Sequence, residues 1–155
     1  MIAATSRILI VDDYEPFRFA ISAMLRKQSN LQVIGEAVDG EDAVQKAQQL
    51  QPDLVLLDIG LPALDGLKVA RRIRELSPKS EILFVSNISS PDIVEEALRS
   101  GAAGYVAKSN AASELLAAVN AVLSGNSFVT ASLDGDKSWL VTMSKPSTTP
   151  EVEPA

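Results

Sequence analysis

Residues 8–13 read ILIVDD, four aliphatic side chains in succession and then two carboxylates. The figure returns as LVLLD at 54–58 and as ILFVS at 82–86. These runs are continuous rather than alternating, as expected for parallel strands covered on both faces. Leu31–Val38 and Tyr105–Ala107 are weaker runs of the same kind. Between them the apolar residues fall at helical spacing: Phe17, Ala20, Ile21, Met24 and Leu25; Ala43, Val44, Ala47 and Leu50; Val69, Ala70, Ile73 and Leu76; Val94, Ala97 and Leu98; Leu115, Val119, Val122 and Leu123. Each stripe is narrow enough to be the buried side of an amphipathic helix. Strands alternating with helices imply a parallel sheet covered by helices on both faces, joined by right-handed crossovers.

The punctuation agrees with this reading. Pro16 suits a first helical turn. Asp39 with Asp42, and Asn110 with Glu114, read as helix starts. Gly101, Gly104 and Gly125 read as caps just past helices. From Ser127 onward the helical period stops, and the prolines, serines and threonines between Ser144 and Pro154 give the composition of a linker. Only Trp139–Met143 (WLVTM) is apolar enough there to form a strand or dock. The expected organisation is one domain over 1–131 and a flexible tail over 132–155.

Composition removes several chemistries. The 155 residues include no cysteine and no histidine. Disulfides, thiol nucleophiles, imidazole bases and the zinc sites built from either residue are excluded. Twenty acids against fourteen bases give a net charge of −6, the reverse of what a nucleic-acid binder usually carries. There is no signal peptide at Met1–Arg7, and the longest apolar stretches fall far short of a membrane span. A cytoplasmic protein with no membrane partner is expected.

The polar residues are informative by position. Asp12 and Asp13 follow the first strand, Asp58 ends the third, Ser86 ends the fourth and Lys108 follows the fifth. All stand at the carboxyl ends of parallel strands, the edge at which open α/β sheets bind ligands. Singly, each has an ordinary explanation: a turn, a helix cap, a solvated lysine. Together they supply the parts of a phosphoryl site. Three close carboxylates call for a cation, and an all-oxygen donor set favours Mg²⁺ or a similar hard ion such as Mn²⁺. Lys108 would give a phosphoryl oxygen a point charge, and Ser86 a hydrogen bond. A carboxylate beside such a cation can attack phosphorus to give an acyl phosphate, and Asp58 on the central strand is the candidate.

ILIVDD at Ile8–Asp13, LVLLDIGLPALDG at Leu54–Gly66, LFVSN at Leu83–Asn87 and GYVAKS at Gly104–Ser109 resemble the receiver domain of two-component response regulators over residues 6–125. The SN and KS pairs are similar to the LuxR/NarL-type subfamily. The resemblance implies a flavodoxin-like, doubly wound, five-stranded parallel sheet of order 2-1-3-4-5, a (βα)5 unit. It implies Asp58 as phosphoacceptor, and Mg²⁺ held by Asp13, by Asp12 directly or through water, and by the backbone carbonyl of Gly60. Lys108 would contact the phosphoryl group. Ser86 would swing towards it, and Tyr105 would move inward as an aromatic switch; the plain alternative for Tyr105 is a half-buried edge residue. The output surface would be the fourth helix, fifth strand and fifth helix, about Asp92–Leu123. With no histidine of its own, the chain would need a sensor histidine kinase, a phosphotransfer protein or a small acyl phosphate as donor. The downstream protein target is not named by the sequence, and a homodimer through the output face is compatible with the resemblance.

Three departures qualify the likeness. The stretch after the receiver is too short and too polar for a LuxR-type helix-turn-helix, so direct DNA binding by this chain is not expected. Ser109 follows Lys108 where many receivers have proline, and without proline a cis bond there costs about 3 kcal/mol, so trans is expected. Gly60 and Ile88 flank the path of hydrolytic water in the family, and neither can orient a water, which implies a long-lived phosphoryl state. The rival readings are a constitutive protein-binding module, a phosphorelay intermediate and an aspartyl-phosphate phosphatase. The last lacks the second acid two residues past the nucleophile, where Gly60 stands. No enzyme activity beyond slow self-phosphorylation and self-dephosphorylation is expected.

Overall fold

The computed structural model describes residues 5–61, 65–88 and 90–130. The expected tail over 132–155, with Trp139–Met143, lies outside the described residues. The elements run β1 (Ser6–Val11), α1 (Glu15–Arg26), β2 (Leu31–Ala37), α2 (Gly40–Leu50), β3 (Leu54–Leu57), α3 (Gly66–Leu76), β4 (Glu81–Ser86), α4 (Pro91–Arg99), β5 (Gly104–Ala107), a 3-10 turn at Lys108–Asn110, α5 (Ala111–Leu123) and β6 (Phe128–Val129). All strands are parallel, and the sheet order is β2-β1-β3-β4-β5-β6. The first five strands follow the expected flavodoxin-like order. Among the described residues no helix is long and apolar enough to cross a membrane.

The continuous aliphatic runs now have their physical reason. Alternate residues of each strand enter opposite cores. Leu9, Val11, Val55, Leu57, Ile82 and Phe84 face one core with α2, α3 and α4. Ile8, Ile10, Leu54, Leu56, Leu83 and Val85 face the other with α1 and α5. A strand buried on both sides has no polar face to show. The helix signals hold in the same way. The Asp39 carboxylate accepts from the Asp42 amide at 2.9 Å and caps α2. Pro16 and Pro91 occupy first turns, where no intrahelical N–H is lost. Asn110 precedes α5 but makes no side-chain cap bond.

Two readings need correction. The sheet has a sixth strand, Phe128–Val129, in the region expected to be irregular. A two-residue strand carries no period, and nonlocal bonds hold it: the Thr130 amide donates to the Tyr105 carbonyl at 2.9 Å. Gly101 and Gly125 do adopt the left-handed conformation, with φ of 106° and 89°, but Gly104 is the first residue of β5 and caps nothing. No peptide bond among the described residues is cis, in agreement with the absence of proline after Lys108.

Glycine is required at 66 for reasons of space. The Gly66 amide donates to the Ile59 carbonyl at 2.7 Å, which draws the start of α3 onto the loop after β3. A Cβ at 66 would lie 2.4 Å from the Asp58 carbonyl oxygen and 2.5 Å from Ile59 Cα. These are backbone atoms and cannot step aside as a side chain can. At Gly60 a Cβ would meet only Asp58 Oδ1 at 3.8 Å and Ile88 Cδ1 at 4.0 Å, ordinary contacts. Gly66→Ala is therefore expected to cost about 1–3 kcal/mol, the usual range for overpacking, and Gly60→Ala much less. Urea unfolding of both variants measures the difference; equal stabilities would contradict it.

Candidate functional site

The carboxyl ends of β1, β3, β4 and β5 bring the predicted residues together. They border a cleft of about 630 Å³ whose lining includes Asp13, Asp58, Gly60, Ser86 and Lys108, with Tyr14, Phe17, Asn87, Ile88 and Ser109 completing the wall. Asp12 lies behind this wall, only 2% exposed. One carboxylate oxygen from each of Asp12, Asp13 and Asp58 lies within 4.8 Å of the others. Lys108 reaches across from the end of β5. Its Nζ is 2.7 Å from Asp12 Oδ2 and 3.2 Å from Asp58 Oδ2. Three carboxylates and one ammonium leave a net charge of −2 in a partly buried site. An all-oxygen set with that deficit fits a hard divalent cation.

Backbone amides fix the remaining carboxylate atoms. Tyr14 N–H donates to Asp12 Oδ1 at 2.8 Å, and Gly60 N–H to Asp58 Oδ1 at 3.0 Å. Burial pushes the Asp12 carboxyl above the usual range, and the pull of Lys108 and the Tyr14 amide does not cancel it. Burial pushes the Lys108 ammonium down, but Asp12 and Asp58 together outweigh that and hold it above the ordinary lysine value. Lys108 therefore stays charged, while the carboxylates share more negative charge than it can neutralise.

Ser86 ends β4, 1% exposed, and its Oγ accepts the Ile88 amide at 3.2 Å. Tyr105 is fully buried rather than half-buried. Its hydroxyl donates to the Ile88 carbonyl, and its ring stands 6.2 Å from that of Phe84.

Some contributors were not visible in the sequence. Phe17 reads as part of the core stripe of α1, yet Lys108 Nζ lies 4.6 Å from its ring centroid, within cation–π range. Arg18 donates from its guanidinium to the Asp12 carbonyl at 2.8 Å and to Glu36 Oε1 at 2.9 Å, tying the β1–α1 turn to β2. An arginine one turn into a helix after two aspartates is a weak signal, because its target is a backbone atom.

Residues 8–120 match the family model described as the response regulator receiver domain. The chain belongs to this family. The receiver is 33% identical over 123 residues to the response regulator GacA of Pseudomonas viridiflava, covering 79% of this chain and 58% of the relative. It is 34% identical over 121 residues to the response regulator VraR of Staphylococcus epidermidis, covering 78% and 58%. The chain thus spans somewhat over half the length of these curated relatives. Among solved structures it is similar to the signal receiver domain of NarL from Mycobacterium tuberculosis, with a TM-score of 0.75 and 32% identity over 80% of this chain and 100% of that one. A LuxR-family regulator from Aurantimonas gives a TM-score of 0.79 and 29% identity over 84% and 93%. The relatives are of the LuxR/NarL type that the SN and KS pairs suggested.

The buried phenol of the receiver makes a pH prediction. Burial pushes Tyr105 up to about 12 from 10.0, with the Ser86 hydrogen bond opposing and the Asp58 charge adding. The folded state keeps this proton at a pH where the unfolded chain has lost it. Its contribution to stability is full below pH 10 and is lost as the pH rises towards 12. Wild type is expected to lose on the order of 2 kcal/mol more than Tyr105→Phe across that window, as read by urea unfolding. Parallel losses in the two proteins would overturn the assignment.

Proposed function

We propose that this receiver is a phosphorylation switch. Asp58 attacks the phosphorus of a phosphohistidine on a sensor kinase or phosphotransfer protein, or of a small acyl phosphate. A bond forms between Asp58 Oδ and phosphorus, and the bond from phosphorus to the imidazole nitrogen, or to the acyl oxygen, breaks. The leaving imidazole takes a proton from solvent; an acyl donor leaves as its carboxylate. The supporting observation is the Lys108 ammonium held 3.2 Å from Asp58 Oδ2 at the floor of an open cleft.

Asp13 and Asp58 would hold Mg²⁺ from the cleft side with the Gly60 carbonyl, and Asp12 from behind, directly or through water. The bound ion would neutralise the crowded oxygens of donor and acceptor. Lys108 would release Asp58 and take a phosphoryl oxygen, and Ser86 would turn its hydroxyl from the Ile88 amide to another. The phosphoryl group adds roughly two negative charges and three strong acceptors. Only the difference in how these contacts favour one arrangement of Ser86, Tyr105 and Lys108 over another can shift the population. The surface that reads the shift would be α4, β5 and α5, in the cytoplasm where such kinases act. The regulator and activator functions named for relatives are, by extension, the kind of output this switch would serve. A phosphatase reading has less support, because Gly60 offers no second acid.

The test is incubation of the full chain with Mg²⁺ and acetyl phosphate, followed by intact mass. Wild type should gain one phosphoryl group and Asp58→Asn none; no gain in wild type overturns the reading. Because Gly60 and Ile88 cannot orient an attacking water, the adduct should persist for minutes or longer after the donor is removed. Loss within seconds, with no phosphatase present, would contradict that part.

A further inference from the structure

Beyond β5 the sheet edge holds a polar cluster that the phosphoryl chemistry leaves unused. Thr130, directly after β6, is 2% exposed. Its Oγ1 accepts the Ala107 amide at 2.8 Å and donates to Glu114 Oε1 at 2.8 Å. A hydroxyl has one proton to give, so these two bonds have a single consistent direction. The other Glu114 oxygen accepts from Asn110 Nδ2 at 3.3 Å, which ties the cluster to the 3-10 turn. The Thr130 amide donates to the Tyr105 carbonyl at 2.9 Å.

The targets of these bonds matter more than their number. Ala107 is the last residue of β5, and Lys108 is the next. β6 stops at Val129, so the Thr130 hydroxyl completes the ladder at Ala107 in place of a strand. Tyr105 and Ala107 both belong to β5, the strand that ends directly before Lys108. Gly104 serves the same seam. A Cβ there would lie 2.4 Å from the Phe128 carbonyl oxygen and 3.0 Å from Leu83 Cδ1, so the absence of a side chain lets β6 approach. Closing a sheet edge against aggregation would require neither a buried threonine nor an oriented carboxylate.

We propose that Thr130 is a positioning residue for Lys108, and that through it the docking of β6 is coupled to occupancy of the phosphoryl site. The inference rests on the Asp58 reading given above. Thr130 holds the Ala107 amide, in the peptide one residue before Lys108, whose side chain extends towards Asp12 and Asp58. When Lys108 exchanges a carboxylate for a phosphoryl oxygen, that peptide is reset, and the Thr130 bonds strengthen or weaken with it. Coupling of this kind is reciprocal: whatever site occupancy does to β6, β6 does to site affinity. β6 and Thr130, on the outer edge of β5 and bonded to Glu114 of α5, thereby join the phosphoryl-contacting end of β5 to the chain that follows.

The experiment titrates beryllofluoride with Mg²⁺ into the full chain and follows the amides of Ala107, Lys108, Val129 and Thr130 by NMR and hydrogen exchange. Thr130→Val keeps the shape and loses the hydroxyl, leaving the Ala107 amide unpaired; Thr130→Ser keeps the hydroxyl. Gly104→Ala dislodges β6 from its other end with every site residue intact. Thr130→Val and Gly104→Ala should each weaken half-saturation by about fivefold or more. Thr130→Ser should remain near wild type, and saturation of wild type should change the protection of Val129 and Thr130. Unchanged affinity in Thr130→Val and Gly104→Ala while β6 loses protection overturns the coupling. Equal weakening in Val and Ser variants overturns the role of the hydroxyl. Failure of wild type to bind the mimic overturns the Asp58 reading instead, and this inference with it.

Discussion

The ammonium of Lys108 between the carboxylates of Asp12 and Asp58 is the contact on which the site depends. Two buried carboxylates on adjacent strands repel, and each carries a desolvation cost that only a close partner offsets. Lys108 comes from β5, two strands from β3, so it can serve only if the order β1-β3-β4-β5 brings all four carboxyl ends to one edge. The parallel sheet is thus the device that lets one cation face two acids. The pairing is also incomplete. Three acids face one base, and the excess negative charge makes the cleft receptive to a metal ion.

The same incompleteness suits a switch. Lys108 is shared between two partners and lies over the Phe17 ring, an arrangement the proposed exchange of partners would use. Ser86 and Tyr105 both bond the backbone of Ile88: the serine hydroxyl accepts its amide and the tyrosine hydroxyl donates to its carbonyl. Arg18 bonds the backbone carbonyl of Asp12 on one side, and Thr130 bonds the amide of Ala107, the residue before Lys108, on the other.

Much of this was legible in the chain. Four-residue aliphatic runs ending in Asp12, Asp58 or Ser86 locate strands and their carboxyl ends, because double burial leaves no other pattern. The stripes of the helices were equally plain. What failed to show were residues whose role is set by a distant backbone atom. Phe17 fits the core period of α1 and is also the ring beneath Lys108. Gly104 looks like a cap and instead admits a neighbouring strand. Phe128 and Val129 are too few to carry a period, and Thr130 is an ordinary threonine until Ala107 lies beside it.

The sequence by itself determined the kind of chemistry: no thiol, no imidazole, carboxylates and one lysine at strand ends, on a parallel α/β sheet. Those features are local, written in runs and spacings a few residues long. Only the tertiary structure decided the electrostatics and the long-range contacts. The 2.7 Å between Lys108 and Asp12, the buried inward Tyr105 and the bond from Ala107 to Thr130 join residues far apart in the chain. Such distances are set by how sheet and helices pack together, and no local pattern records them.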